Sequence, residues 1–225
     1  DSAVSNNCML IEDVLTATSR PNMGNDIIQS SDIGLVVVGD MHESFIDRDQ
    51  YLFKLKNNFN LDFNSIFGDV QNLANNENAY SVLETNDAFY VVGASAFGNG
   101  NEDVVVTKFS NTFPFNLQWC HNYDFGQIDV GRKIILAADM NLLVGGYTTS
   151  NLKGNPNDYD AFLLKISPDG DVVGSGVKFY GDWYDDEFLY DLILLENKIN
   201  YVAIGDHQNS NSTDMLVFNT DLNLN

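Results

Sequence analysis

The sequence predicts an all-β fold, a β-propeller of four four-stranded blades, and three observations carry that prediction. First, a glycine closing an apolar run and an aspartate opening the next recur four times: VVVGD at Gly39-Asp40 then DQYLFKL from Asp49, YVVG at Gly93 then DVVVTKF from Asp103, LLVGG at Gly146 then DAFLLKI from Asp160, and YVAIG at Gly205 then DMLVFNT from Asp214. The opening aspartates are 54, 57 and 54 residues apart, a period that marks a repeat architecture. Second, the runs are short, rich in β-branched and aromatic residues, and bounded by turn residues, which is the pattern of strands rather than helices. Third, Val36-Val37-Val38, Val104-Val105-Val106 and Phe162-Leu163-Leu164 are apolar at successive positions, so both faces of these strands must be covered, as in stacked sheets. Radial repetition of four-stranded antiparallel units meets that demand and protects the sheet edges.

The elements follow in order within a single domain, residues 1–225. The first repeat, about residues 25–74, gives strands at NDIIQSS (25–31), LVVVGD (35–40), DQYLFKL (49–55) and FNSIFG (63–68). The second, about 75–127, gives AYSVLET (79–85), FYVVGAS (89–95), DVVVTKF (103–109) and LQWCHNY (117–123). The third, about 128–184, gives KIILAAD (133–139), LLVGGYT (142–148), DAFLLKI (160–166) and GVKFYG (176–181), with the last two joined by Ser167-Pro168-Asp169-Gly170. In that turn Pro presets φ and Gly accepts a positive φ. The fourth, about 185–225, offers only FLYDLILL (188–195), NYVAIGD (200–206) and DMLVFNT (214–220). A strand-like segment, NCMLIEDVLTA (7–17), precedes the first repeat, and the simplest ring uses it to complete the last blade. The alternative is part of a larger propeller.

Composition narrows the function. Of 225 residues 44% are hydrophobic, enough for a core, and no apolar stretch approaches the roughly 18 to 20 residues of a membrane-spanning helix. With 32 acidic against 11 basic residues the net charge is −21, which repels nucleic-acid phosphates and anionic lipids. The two cysteines, Cys8 and Cys120, do not make a disulfide framework, although they could pair in an oxidising compartment; in a closed ring they would lie on opposite sides. The start at Asp1 suggests removal of a leader.

The stretches YSVLETNDAFYVVGAS, NLLVGGYTTS with YDAFLLKISPDGDV, and KFYGDWYDD resemble a family of bacterial extracellular β-propeller repeats, over nearly all of residues 25–225. Lys54, Lys108 and Lys165 each fall five residues after the repeat aspartate, as in that family, and Asn219 takes the place in the last repeat. The resemblance implies a secreted, periplasmic or cell-surface binding or scaffolding module of a Bacteroidetes-like bacterium. Glycines of the family pattern are replaced at Phe89 and Asn141, and Trp119 is the one clear fourth-strand tryptophan.

Three groups of residues are candidate sites. Asp47 with Asp49, Asn101 with Asp103, Asp158 with Asp160, and Ser212 with Asp214 place an oxygen-bearing side chain two residues before each repeat aspartate. Alternate residues on a strand point the same way, so such a pair suits a hard cation such as calcium, or else hydrogen bonds to the loop backbone. Gly39-Asp40 with His42 and Gly205-Asp206 with His207 sit at equivalent points of the first and last repeats, where a closed ring would make them neighbours on one rim. The acidic aromatic loop holding Trp183, Tyr184, Asp185 and Asp186 suits contact with a protein partner or stacking against a sugar, or inter-blade packing by Trp183. No G-x-S-x-G or phosphate-binding glycine loop occurs.

These features lead to the expectation of a non-enzymatic, protein-binding or scaffolding subunit of a larger assembly, secreted or of the cell envelope, with no cofactor required. A glycan-binding propeller is the second expectation and a carboxylate-dependent hydrolase the third.

Overall fold

Each repeat folds as an up-and-down meander, because its apolar runs are joined by connections too short for anything but neighbouring antiparallel strands. The computed structural model describes residues 22–42, 48–67, 76–96, 101–149, 158–182 and 184–225. The first sheet holds β1 (Asn22–Gln29), β2 (Leu35–His42), β3 (Arg48–Leu55) and β4 (Leu61–Phe67). The second holds β5 (Glu77–Glu84), β6 (Ala88–Ser95), β7 (Asp103–Ser110) and β8 (Leu117–Tyr123). The third holds β9 (Asp129–Leu136), β10 (Leu142–Thr148), β11 (Asp160–Ile166) and β12 (Val172–Tyr180), and the fourth β13 (Asp186–Leu194), β14 (Asn200–Gln208) and β15 (Thr213–Asp221). The chain is therefore all-β, with four antiparallel sheets in sequence order. The segment at 7–17, and Cys8 within it, lie outside the described residues; Cys120 on β8 carries a free thiol. Among the described residues no helix is long and apolar enough to cross a membrane.

Sheets stack on their sequence neighbours, and the doubly apolar middle strands are what let them do so. Val36, Val38 and Leu52 of the first sheet pack with Val82, Phe89 and Val91 of the second. Tyr90, Val92, Val104 and Val106 carry the opposite face of the second sheet onto Ile134, Val144, Phe162 and Leu164 of the third. Leu143 and Leu163 then meet Leu189, Leu192, Tyr201 and Ala203 of the fourth. The first strands of consecutive sheets, β1 with β5, β5 with β9 and β9 with β13, run beside one another.

The recurring glycine is explained by a β-bulge in each first strand. Pairing shifts register between Gly24 and Asp26 in β1, between Ala79 and Ser81 in β5, opposite Gly145 and Gly146 in β9, and between Leu189 and Asp191 in β13. The bulge drives a carbonyl against the facing strand. A Cβ would sit 1.8 Å from the Met23 oxygen at Gly39, 1.7 Å from that of Asn78 at Gly93, 1.9 Å from that of Val130 at Gly146 and 1.7 Å from that of Phe188 at Gly205. Only glycine admits that approach.

The repeat lysines tie third strands to turns. Buried Lys54 pairs with Asp32 in the β1–β2 turn and lies 3.2 Å from Asp62. Lys165 pairs with Asp139 in the β9–β10 turn. Lys108 donates to the Pro168 carbonyl at 3.1 Å and lies over the Tyr90 ring. In the fourth sheet Asn219 accepts from Asn200 Nδ2 at 2.9 Å.

Candidate functional site

The residue two positions before each repeat aspartate decides what the pair can do. In the second repeat Asn101 Nδ2 donates to Asp103 Oδ1 at 3.3 Å, and in the fourth Ser212 Oγ donates to Asp214 Oδ2 at 3.0 Å. These pairs are joined by hydrogen bonds of their own. Asp47 lies outside the described residues, and Asp49 is buried on β3. In the third repeat the donor is replaced by Asp158, which as a carboxylate has no proton to give Asp160. Both are buried, Asp158 4% and Asp160 1% exposed.

Around this pair the end of the fourth sheet closes. Asp186 meets the Asp158 carboxyl and accepts from the Tyr159 amide at 3.0 Å. Glu187 and His207 face each other across the β13–β14 ladder, with Glu187 Oε1 3.4 Å from His207 Nε2. Asp185 Oδ2 lies 3.3 Å from the same nitrogen. Gly181, just after β12, makes the convergence possible: a Cβ there would stand 1.9 Å from Asp160 Oδ1 and 2.5 Å from Glu187 Oε2. Asp182 Oδ1 caps the loop, accepting from the Tyr184 and Asp185 amides at 3.0 and 3.1 Å. Atoms of Asp182, Glu187 and His207 that could ligate a metal lie within 4.8 Å of one another.

The electrostatics follow from this crowding. Burial, then the neighbouring carboxyl and charge of Asp186, with Asp160 and Asp182 behind, pushes Asp158 up to about 7. Burial, then the charge of Asp182, with Asp160 and Asp158 behind, outweighs the opposing Asp182 backbone amide and pushes Glu187 up to about 7 as well.

Two separate sequence expectations thus meet in one place. Asp158 and Asp160, expected as cation ligands, share a cluster with Asp185 and Asp186, expected as partner contacts. Tyr184 is 88% exposed at its margin, and Trp183 lies outside the described residues. Sequence reasoning did not bring Glu187 together with His207; counting the ladder back from the Gly205–Leu189 pair would have done so. The two Gly-Asp steps serve local roles. Asp40 accepts from Asn25 Nδ2 at 3.1 Å, while Asp206 lies beside Tyr190.

A second feature lacked any sequence signal. The extra residues of the four bulges are Asn25, Tyr80, Arg132 and Tyr190. The Arg132 guanidinium lies 4.0 Å from the Tyr80 ring centroid and 5.5 Å from that of Tyr190, so bulges of three sheets are bracketed by one cation.

The outer face of the fourth sheet is the third feature. The ladder sets Ile193 beside Val202, and Ile204 beside Val217, on the face opposite buried Leu192, Tyr201 and Ala203. Ile193, Ile204 and Val217 are each about half exposed, and Met215 is 80% exposed. Asp191 and Asp206 flank this apolar strip.

No protein-family model matches the chain, and no curated protein matches its sequence.

Proposed function

We propose that the chain is a non-enzymatic protein-binding scaffold of the cell envelope or exterior, that its sheets are propeller blades, and that the outer face of the fourth sheet receives a partner. One observation carries the reading. The residue before each repeat glycine faces the following sheet: Val38 and Val92 are fully buried there, and a Cβ on Gly145 would meet Leu189. The fourth residue of that series, Ile204, is 45% exposed. Three residues before the glycine the series is Val36, Tyr90 and Leu143, all buried, and then Val202 on the open face. The repeat therefore prepares a fourth face-to-face contact, and an apolar sheet face of this kind is a protein-docking surface.

The occupant is a separate protein presenting an apolar sheet face rimmed by lysine or arginine. Asp206 beside the strip selects for basic residues, Asp191 being already paired with Lys133 at 3.4 Å, and a net charge of −21 opposes pairing of two copies. The test places a photo-crosslinking residue at position 204, or at exposed Met140 as control, in cells of the source. The expected result is one partner captured from position 204 alone, cross-linked through a sheet face with a basic rim, and lost in the additional variant Val217→Asp. A mass of two chains in solution, or equal capture from both positions, would overturn the proposal.

A further inference from the structure

We propose that Asp182, Glu187 and His207 form a binding site for a divalent metal ion of the zinc class, set between the ends of the third and fourth sheets. This goes beyond the docking face, which lies on the opposite side of the fourth sheet.

The key observation is an unanswered buried oxygen. The Glu187 side chain is 6% exposed; its Oε1 is 3.4 Å from His207 Nε2 and the Asp182 backbone amide also bears on the carboxylate, yet its Oε2 has no donor within hydrogen-bond distance. Asp158 Oδ2, also buried, has none either. Among the described residues no lysine or arginine forms an ion pair with Asp158, Asp182, Asp186 or Glu187. A buried carboxylate oxygen without a donor is costly, and a dication is the partner that would satisfy several at once.

A second acidic cluster in the same molecule shows what a purely structural arrangement looks like. The carboxylates of Asp103, Asp124 and Asp129 are equally close to one another. There, however, Asn122 Nδ2 donates to Asp103 at 3.3 Å, the Gly126 amide to Asp124 at 2.7 Å and the Phe125 amide to Asp129 at 2.6 Å, with Thr148 Oγ1 completing Asp129. None of these three carboxylates leaves a buried oxygen unanswered. At Glu187 the protein supplies an imidazole, the Asp182 backbone amide and neighbouring carboxylates, and still leaves Oε2 buried without a donor in reach.

The ligand types choose the metal. Calcium and magnesium favour all-oxygen sites, whereas an imidazole with carboxylates suits zinc and its first-row neighbours. With bonds near 2.0–2.1 Å a tetrahedral ion would draw the ligand atoms to roughly 3.3 Å apart, so the cluster, now within 4.8 Å, tightens on binding. The glycine at position 181 keeps side-chain atoms out of the space beside Asp160 and Glu187.

The competing arrangement is a protonated His207 bridging Asp185 and Glu187 with no metal. Calorimetric titration and thermal unfolding of chelator-treated protein at about pH 8, where an ordinary imidazole is neutral, separate the two. The expected result is one zinc ion per chain with a raised unfolding midpoint. Glu187→Gln should raise the midpoint of the metal-free protein while weakening zinc binding at least tenfold, and His207→Ala should weaken it similarly; Asp103→Asn should leave zinc binding unchanged. Absence of zinc binding, undiminished binding in both Glu187→Gln and His207→Ala, or calcium binding as tight as zinc would each overturn the proposal. So would a lowered metal-free midpoint in Glu187→Gln, which would show that the Glu187 carboxylate already has a stabilising partner without metal.

Discussion

Lys165 Nζ lies 2.6 Å from a carboxylate oxygen of Asp139, so an ammonium on a side chain only 10% exposed is anchored to the first hairpin turn of its own sheet. Burial pushes Asp139 up, but hydrogen bonds from Lys165 and Asn141 outweigh it and hold the carboxyl below the usual range. A depressed carboxyl contributes stability above its unfolded pKa and loses it as the pH falls through the folded one. Lys165→Met should therefore cost about 1 kcal/mol near neutrality, the modest scale of a partly exposed pair. Urea unfolding of both proteins should show the difference shrinking in acid, below the ordinary carboxylate range.

The bulge carbonyls make the repeat glycines unforgiving. At Gly93 a Cβ would stand 1.7 Å from the Asn78 oxygen, a backbone atom fixed by the sheet. Gly93→Ala should destabilise by about 2–4 kcal/mol through backbone displacement. Denaturant unfolding measures this; a loss below about 1 kcal/mol would show that the bulge relaxes.

Asp40 is a buried carboxyl whose pKa is raised to about 6, chiefly by burial, against the opposing Ala79 amide and the Arg48 charge. A raised carboxyl binds more protons folded than unfolded between about pH 4 and 6, so stability declines across that window and stays lower above it. Asp40→Asn removes this share of the decline. The variant should be more stable than the parent by about 1–3 kcal/mol near pH 8 and no more stable near pH 4. Thermal melts across that range provide the comparison.

Ile33, 63% exposed in the β1–β2 turn, has φ 68°, a left-handed conformation that strains a β-branched residue. Ile33→Asn should stabilise by about 0.5–1 kcal/mol, because asparagine tolerates this region and little burial is lost. An unchanged or lower unfolding midpoint would refute the strain.

Much of the fold was legible because the apolar runs are periodic and self-contained. LLVGGYT, DAFLLKI and LQWCHNY coincide with β10, β11 and β8, where both faces are defined by the run itself. β9 begins four residues before the expected KIILAAD, since Asp129, Val130 and Gly131 join the ladder only through the bulge at Arg132. A bulge changes which face a residue occupies without changing composition, so it leaves no mark in the sequence pattern. The candidate site was half legible. Asp158, Asp160, Asp185 and Asp186 stood out as acids near turns, but the meeting of Glu187 with His207 depends on a register 20 positions apart in sequence. The lysines were visible as a regular feature, while their turn partners Asp32 and Asp139 were not, because one turn is polar for the same composition as any other.

The order of the sheets along the chain has a consequence for how the molecule is made and how it fails. Among the described residues each sheet draws its neighbouring strands from its own stretch of sequence, and its main packing is against the sheet before and the sheet after. Emerging from a ribosome, each of the described meanders can pair its own strands as soon as they are made, and each new one finds a finished apolar wall to settle against. Injury should be equally local: a lesion in β2 loosens its own sheet and its neighbour while Leu163 and Tyr201, two interfaces away, keep their packing. Gain or loss of a whole repeat is then a step evolution can take without redesigning the remainder.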